Sequence, residues 1–134
     1  MVSVSFVITG QPRTKKNSQQ IAFNRKTGRR FVKQSDIYIA FEKECLRQIA
    51  ALKWLNDITP ITEPVNIEYT FYRADRRKVD LVNLEEAMND ILVRAGVVGD
   101  DNYTIVAGHD YSRVRYDKDN PRTEIRITAI KEDR

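Results

Sequence analysis

Alternation of apolar and polar residues predicts β-strands at the start, in the middle and at the end of the chain. Val2, Val4, Phe6 and Ile8 alternate with mostly polar residues, and the segment VNIEYTFYR at 65–73 shows the same period of two. Towards the end, TIVAG, YSRVRY and TEIRITAI are three shorter strand-like runs. The segment DKDNPR between the last two runs contains Asn and Pro, which favour a hairpin or a loop.

Two other segments repeat apolar residues at helical spacing. The first is predicted to be a helix over roughly 36–55, with Ser35 as its N-cap. Its apolar stripe consists of Ile37, Phe41, Cys45, Ile49 and Leu52. The second helix is predicted to begin at Leu84 and to end at Gly96. Its stripe consists of Leu84, Met88, Ile91, Leu92 and Ala95. We expect the Cys45 thiol and the rings of Tyr38 and Trp54 to be packed in the core.

These elements follow the order β–loop–α–β–α–β–β, without repeats or an internal domain boundary. A chain of 134 residues is long enough to bury one hydrophobic core. The order therefore predicts an α+β fold over residues 1–134, a single domain in which two main helices pack on a small mixed or antiparallel sheet.

Composition argues against several classes of function. The chain is 41% hydrophobic but has no apolar run near the roughly 20 residues of a membrane span, and we expect neither a signal peptide nor membrane association. The single Cys45 excludes an internal disulfide and predicts a reducing, cytoplasmic location. One His and one Cys are too few for a structural zinc site, so any metal would be bound by oxygen. The segment GQPRTKKNS lacks the glycine pattern of a P-loop, so no nucleotide cofactor is expected.

Charge is distributed unevenly along the chain. Residues 11–33 contain eight basic and no acidic side chains, which leaves 15 basic and 19 acidic residues elsewhere. Pro12, Gly28 and several polar residues break any periodicity, so we expect a long loop or a loose hairpin. Such a segment is suited to bind phosphate backbones, and a solvated basic loop is the alternative. Phe23 and Phe31 within it either stack on or wedge between bases, or pack on the domain. The candidate DNA-binding residues are Arg13, Lys15, Lys16, Arg25, Lys26, Arg29 and Arg30.

Carboxylates are concentrated around the second predicted helix. Asp80 precedes it, Glu86 and Asp90 lie four positions apart on one face, and Asp100–Asp101 follow it. Carboxylate oxygens suit Mg²⁺ or Mn²⁺, and such an ion can activate water and stabilise the leaving oxygen of a phosphodiester. The alternatives are a solvated polar helix face and, for Glu86, a capping box with Asn83.

The length of this helix decides whether these carboxylates can meet. A helix of about 13 residues is roughly 20 Å long. Asp80 and Asp101 would therefore lie at opposite ends, unless the loop at 96–101 folds back alongside the helix.

A specific motif runs through this acidic block. It reads D-L-x-N-L at 80–84, followed by Asp90, Leu92, Ala95–Gly96 and the pair Asp100–Asp101, and R-x-D-R-R precedes it at 73–77. In these residues and their spacing the chain resembles the RusA family of Holliday junction resolvases, small phage and prophage endonucleases. The resemblance implies a Mg²⁺-dependent endonuclease that hydrolyses phosphodiester bonds of four-way DNA junctions in recombination and repair. It also implies a homodimer, whose symmetry matches that of the branched double-stranded DNA.

The chain departs from the family pattern at two positions. Val82 replaces an aspartate that is a metal ligand by resemblance, and Glu86 stands where the family tends to have lysine. Glu86 follows Val82 by one helical turn, on the same face if the helix starts that early, so its long side chain can replace the lost carboxylate. The resemblance thus assigns Asp80 and Asp101 as the first metal ligands. Glu86, Asp90 and Asp100 complete or support this catalytic site. An inactive relative that still binds DNA, or a non-catalytic junction- or single-strand-binding protein, is the alternative.

Two weaker groups of candidates lie further along the chain. His109 and Asp110 either approach the metal and act in proton transfer, or form hydrogen bonds at a strand end. Arg113, Arg115 and Arg122 either extend a phosphate-binding surface or are exposed strand and loop residues.

Overall fold

The computed structural model describes residues 2–15 and 19–130. Within these ranges the chain forms seven strands and two helices. In chain order they are β1 (Ser3–Thr9), β2 (Gln19–Phe23), β3 (Arg30–Gln34), α1 (Asp36–Asn56), β4 (Val65–Arg73), α2 (Leu81–Arg94), β5 (Val106–Gly108), β6 (Arg113–Tyr116) and β7 (Arg122–Ala129). No helix in these ranges is long and apolar enough to cross a membrane.

Five strands form one mixed sheet around the central strand β4. On one side, β4 pairs antiparallel with β7, which in turn pairs antiparallel with β1. On the other side, β4 pairs parallel with β5 at its start and with β6 at its end. The predicted α+β fold, with two helices and a small mixed sheet, is confirmed. The DKDNPR segment is a loop rather than a hairpin, because β6 and β7 lie on opposite sides of β4.

The alternation in β4 determines which face of the sheet is buried. Ile67, Tyr69 and Phe71 point to one face and are fully buried, whereas the residues between them are half-buried on the other. The buried face packs with α1 and α2 in a single core that includes Ile49 and Leu92. Burial of apolar area at about 25 cal/mol per Å² is the main force that holds the helices on the sheet.

Helix α1 lies close to its predicted bounds. The Ser35 hydroxyl accepts a hydrogen bond from the Tyr38 backbone N–H at 3.2 Å, which confirms the predicted N-cap. Tyr38 and Cys45 are buried, as expected. The packing prediction is wrong for Trp54, which is 85% exposed, and for Ile37, which is 61% exposed. At about 100° per residue, Ile37 lies a quarter-turn from the stripe of Tyr38 and Cys45, and Trp54 lies on the opposite side.

Helix α2 begins three residues earlier than predicted, at Leu81. The Asp80 carboxylate accepts a hydrogen bond from the Val82 backbone N–H at 3.0 Å and therefore caps the helix. The alternative for Glu86, a capping box with Asn83, is wrong, because both residues lie inside the helix. The apolar stripe itself is buried as predicted at Leu84, Met88, Ile91 and Leu92, with Ala95 partly buried beside it.

The basic segment contains a separate two-stranded hairpin, which confirms the expected loose hairpin. Strands β2 and β3 pair antiparallel with each other, and within the described residues neither pairs with the main sheet. Gly28 in the connecting turn has a φ of 72°, which is a left-handed conformation that favours glycine. Phe23 and Phe31 are exposed, so the alternative in which they pack on the domain is wrong.

Candidate functional site

Asp80 lies where the chain passes from the end of β4 into α2. Its carboxylate is exposed, and the Oδ1 atom accepts the capping hydrogen bond from Val82. The capping hydrogen bond uses one of the two carboxylate oxygens of this exposed side chain.

Asp100 and Asp101 lie in an exposed loop beside the start of β4. The loop is fixed on both sides, because the Gly99 N–H donates to the Ile61 carbonyl and the Val65 N–H donates to the Ile105 carbonyl, both at 2.8 Å. The Asp101 backbone N–H donates to the Asp100 carboxylate at 2.7 Å, and this hydrogen bond lowers the pKa of Asp100. Both side chains are exposed at the surface.

The two acidic positions are therefore at opposite ends of α2. The helix runs antiparallel to β4, because Asn89 at its middle contacts Tyr69 at the middle of the strand, and Val97 beyond its end bonds to Ile61 before the strand. Fourteen helical residues separate Asp80 from the loop, a distance of about 20 Å. The loop does not fold back alongside the helix, since its hydrogen bonds fix it near Ile61.

Glu86 lies on the exposed face of α2. Val82 is 64% exposed and Glu86 is exposed one turn later, which confirms the prediction that the two share a face. Because the helix starts at Leu81, the condition for that prediction is met. Glu86 thus projects from the same side of the helix as the position where the family pattern has an aspartate.

Asp90 faces the root of the basic segment. Its carboxylate pairs with the Lys15 ammonium at 2.5 Å and with the Arg94 guanidinium at 3.6 Å. Arg94 also pairs with Glu42, which links α2 to α1. The Asp90 and Lys15 side chains are each less than one-third exposed, so this pair is partly shielded from water. Asp90 therefore connects the helix to the basic segment.

The predicted metal ligands do not form one cluster within a single chain. Over residues 2–15 and 19–130, no group of three or more His, Cys, Asp or Glu side chains lies close enough to bind one ion. The ligand type suits Mg²⁺, because the donors are exposed carboxylates. The spacing of these carboxylates does not suit a single Mg²⁺ ion. Asp80 and Asp101 are at opposite ends of α2, and Asp90 forms an ion pair with Lys15.

His109 belongs to a polar network that the sequence did not reveal. Its Nδ1–H donates to the Ile67 carbonyl at 2.8 Å, which leaves Nε2 to accept from the Asn89 amide at 2.9 Å. The Asn89 oxygen accepts in turn from the buried Tyr69 hydroxyl at 2.7 Å. Of the two roles considered for His109, hydrogen bonding at a strand end is the one observed.

Glu85 lies beside this network, one turn before Asn89. Burial raises the pKa of the Glu85 carboxyl, while the nearby His109 ring and a hydrogen bond with Ser112 oppose the rise. Glu85 and Asn89 form an i, i+4 polar pair that borders the apolar stripe of α2. In the sequence, this spacing was the only indication of a polar network beside the helix. Asp110 is exposed, and its backbone N–H donates to the Asn66 side chain at 2.7 Å.

The basic residues divide into a hairpin tip and a root. Those at the tip are all exposed, and they are Arg25, Lys26, Arg29 and Arg30. Arg13 and Lys15 are half-buried at the root, and Lys16 lies outside the described residues.

The arginines near the end of the chain differ in their surroundings. Arg113 and Arg115 are exposed on the edge strand β6. Arg122 is instead held by Asp117 at 2.8 Å and Glu124 at 2.9 Å, with its guanidinium 3.7 Å from the ring centre of Tyr72. Arg122 is therefore neither a freely exposed residue nor a phosphate contact. It has a structural role, in which it pairs with Asp117 and Glu124 and packs on Tyr72.

Comparison with protein families identifies the group to which this chain belongs. The family described as endodeoxyribonuclease RusA matches residues 6–128 of the 134-residue chain. The chain is a member of the RusA family. This confirms the resemblance inferred from the acidic motif, and the match includes the hairpin, both helices and all the carboxylates described above. A search of curated proteins gave no match. Membership in the RusA family supports a nuclease activity for this chain, the hydrolysis of DNA.

Proposed function

We propose that this RusA family member is a Mg²⁺-dependent endonuclease, with Mn²⁺ as a substitute, that resolves four-way DNA junctions by phosphodiester hydrolysis in recombination and repair. The observation that carries the proposal is the family match over residues 6–128, a range that contains Asp80, Asp100 and Asp101, all exposed. Comparing cleavage of a synthetic junction with and without Mg²⁺ tests it.

The exposed hairpin is the proposed DNA-binding element. Its tip carries four exposed cations, which contact phosphates without reading the base sequence. Ile21, Phe23 and Val32 are exposed on the same face of the ribbon, because Ile21 lies opposite Val32 and Phe23 follows two residues later. An isolated ribbon with an apolar face gains stability from a partner surface. Unpaired or easily unstacked bases at a branch point are such a surface, and Phe23 is suited to stack on them.

A homodimer is the proposed active form. A four-way junction has approximate two-fold symmetry and is resolved only when two strands are cut at paired positions. Two copies related by a two-fold axis present two hairpins and two sets of carboxylates in the same symmetry.

Glu86→Gln is expected to reduce cleavage severely if Glu86 replaces the carboxylate missing at Val82. Because the helix cap is Asp80, a capping role for Glu86 cannot explain such a loss. The double variant Val82→Asp with Glu86→Gln should recover part of the activity, since both side chains project from one exposed face. The measurement is the cleavage rate of wild type and both variants across Mg²⁺ concentrations. Near-wild-type cleavage by Glu86→Gln at limiting Mg²⁺ would remove Glu86 from the site.

Asp90→Asn is expected to loosen the root of the basic segment rather than to weaken metal binding. The substitution breaks the ion pairs with Lys15 and Arg94, which are worth about 1 kcal/mol or less. Residues 11–15 should then exchange amide hydrogen faster, and junction binding should weaken several-fold. Lys15→Ala breaks the same pair from the other side and should produce a similar change in exchange. If instead Asp90→Asn raises the Mg²⁺ concentration needed for cleavage while Lys15→Ala does not, Asp90 is a metal ligand.

The second candidate function is a non-catalytic junction-binding protein. It is favoured by Val82, which cannot bind a metal, and by the separation of Asp80 from Asp101 within one chain. Such a protein would bind the junction with the same salt dependence and would leave both strands intact in Mg²⁺ and in Mn²⁺.

A further inference from the structure

Tyr111 has a strained backbone conformation in the turn between β5 and β6. Its φ is 70°, a left-handed value that is an outlier for a bulky side chain. Asp57 is the other non-glycine residue with a positive φ in the part of the chain that the structure describes, and it ends α1, where that conformation is common. An outlier of this kind persists only when the surrounding structure fixes it, and such outliers concentrate at functional sites.

Hydrogen bonds to β4 fix the turn on both sides of Tyr111. Before it, the Asp110 backbone N–H donates to the Asn66 side-chain oxygen at 2.7 Å, and the Asn66 amide donates to the Asp110 carbonyl at 3.3 Å. After it, the Ser112 hydroxyl oxygen accepts from the Tyr69 backbone N–H at 2.9 Å. The backbone at Tyr111 is therefore held between two anchored residues.

Gly108 and His109 complete the anchoring of this turn. The His109 Nδ1–H donates to the Ile67 carbonyl of β4 at 2.8 Å. A Cβ atom at Gly108 would lie 3.1 Å from the Asn66 side-chain oxygen, so a larger residue there would press against the group that holds the turn. The polar network around His109 thus keeps the turn rigid at the surface.

The Tyr111 ring is 75% exposed, so its burial does not explain the strain. Gly or Asn would adopt the same φ with less strain, and neither would expose an aromatic ring to water. The fold therefore loses stability at this position and presents a rigid aromatic side chain. Such a side chain suits binding, because it offers a large flat surface and loses little conformational freedom when a ligand covers it.

The charges around the ring favour DNA as the ligand. Arg113 and Arg115 follow the turn on β6, and both are exposed. Arg113 also donates from Nε to the Tyr111 carbonyl at 3.3 Å. These cations attract a polyanion. Asp110 is exposed beside the ring, and its carboxylate repels a phosphate at that point, which favours contact of the ring with a base.

On the basis of the nuclease function proposed above, we propose that Tyr111 stacks on an unpaired base at the branch point of the junction. Bases of a linear duplex are stacked on both sides within the double helix, whereas those at a branch point are more easily unstacked. An aromatic ring stacks on such a base without reading its identity. Tyr111 is thus a specificity-determining residue that distinguishes branched from linear DNA, at a site separate from Phe23 on the hairpin.

Tyr111→Gly separates this role from a structural one, because the substitution removes the ring and also relieves the strain in φ. We expect the affinity for a synthetic four-way junction to fall about tenfold, the effect of losing one stacked base. The affinity for a linear duplex of the same sequence should not change. The Tm should stay the same or rise, and the salt dependence should persist because no charge is removed. Gel-shift titrations and thermal melts are the measurements.

Three control variants define the part played by the ring. Tyr111→Phe keeps the ring and should bind both DNAs like wild type. Tyr111→Asn removes the ring and tolerates the positive φ, so it should behave like Tyr111→Gly. Trp54→Ala removes another exposed aromatic side chain, on α1, and should leave both affinities unchanged.

Photocrosslinking locates the contact directly. Junctions that carry 5-iododeoxyuridine at the branch point are irradiated with the bound wild-type protein, and tandem mass spectrometry identifies the crosslinked residue. We expect a crosslink at Tyr111, and one at the same position in Tyr111→Phe.

Each result either supports or overturns the proposal. Wild-type junction affinity of Tyr111→Gly, or crosslinks that map only to the hairpin, overturns it and leaves the nuclease function intact. Weaker junction binding together with a lower Tm in both the Gly and the Asn variants assigns the ring a structural role and also overturns it. A change in sedimentation of the free variants assigns the ring to a contact between proteins, with the same consequence. A wild-type protein that neither prefers nor cuts the junction contradicts the nuclease function itself, and the stacking role with it.

Discussion

Asp80→Asn and Asp101→Asn are each expected to reduce junction cleavage by about 10³-fold. Enzymes typically lose about this much rate when one group that stabilises charge in the transition state is removed. Junction binding should survive, because carboxylates near a phosphate oppose binding until a cation neutralises them. The Asn substitution is informative at position 80, since Asn also caps helices well and can accept the hydrogen bond from Val82. Cleavage rates and gel-shift affinities of the purified variants are the measurements.

Two further variants separate chemistry from folding. Asp80→Ala removes the cap and should also lower the free energy of unfolding by about 1 kcal/mol, a loss that Asp80→Asn avoids. Asp57→Asn changes an exposed aspartate at the end of α1, where φ is 53° and Asn is well tolerated, and should leave cleavage unchanged. Wild-type cleavage by Asp80→Asn or Asp101→Asn in Mg²⁺ would remove that residue from the active site.

Removal of the hairpin charges is expected to reduce the salt dependence of junction binding strongly. Each phosphate contact contributes about −0.9 to the slope of log affinity against log salt. If the tip residues and one root cation contact about five phosphates, the wild-type slope is about −4 to −5, and loss of four contacts should flatten it to about −1. The variant replaces Arg25, Lys26, Arg29 and Arg30 by Ala, all exposed on the hairpin. Lys15 is left in place because it pairs with Asp90.

The control removes positive charge from another surface. Lys43→Ala with Arg47→Ala changes two exposed cations on α1 and should leave the slope near its wild-type value. Replacing only Arg29 and Arg30 should flatten the slope by about half as much as replacing all four, because the contributions of separate contacts add. An unchanged slope for the fourfold variant would mean that the DNA binds elsewhere, with the edge strand carrying Arg113 and Arg115 as the next surface to test.

Local pattern was sufficient to predict most elements of the fold. The bounds of β4 were predicted correctly because buried and half-buried residues alternate along its nine residues. The start of α1 was predicted correctly because Ser35, a residue type that favours the N-cap, directly precedes the helical pattern. The start of α2 was missed because Asp80 was considered only as a ligand, although the same carboxylate also caps the helix. The pairing of β5 and β6 with one side of β4 has no local signal, since it depends on contacts between distant segments.

The site could be predicted as a set of residues but not as an arrangement. Spacing placed Val82 and Glu86 on one face, and the structure agrees. The position of Asp101 depends on the hydrogen bond between Gly99 and Ile61, two residues far apart in sequence, so the pattern left open whether the loop folds back. The ion pair of Asp90 with Lys15 was likewise hidden, because it joins α2 to a segment 75 residues earlier.

The most direct test of the central claim is cleavage of a synthetic four-way junction by the purified wild-type protein in Mg²⁺, with EDTA and a linear duplex of the same sequence as controls. We predict cuts at paired positions in two opposite strands of the junction in Mg²⁺. No cuts are expected in EDTA, and none in the linear duplex. Tight binding of the junction with all strands intact in both Mg²⁺ and Mn²⁺ would contradict the nuclease function and would instead support a non-catalytic junction-binding protein.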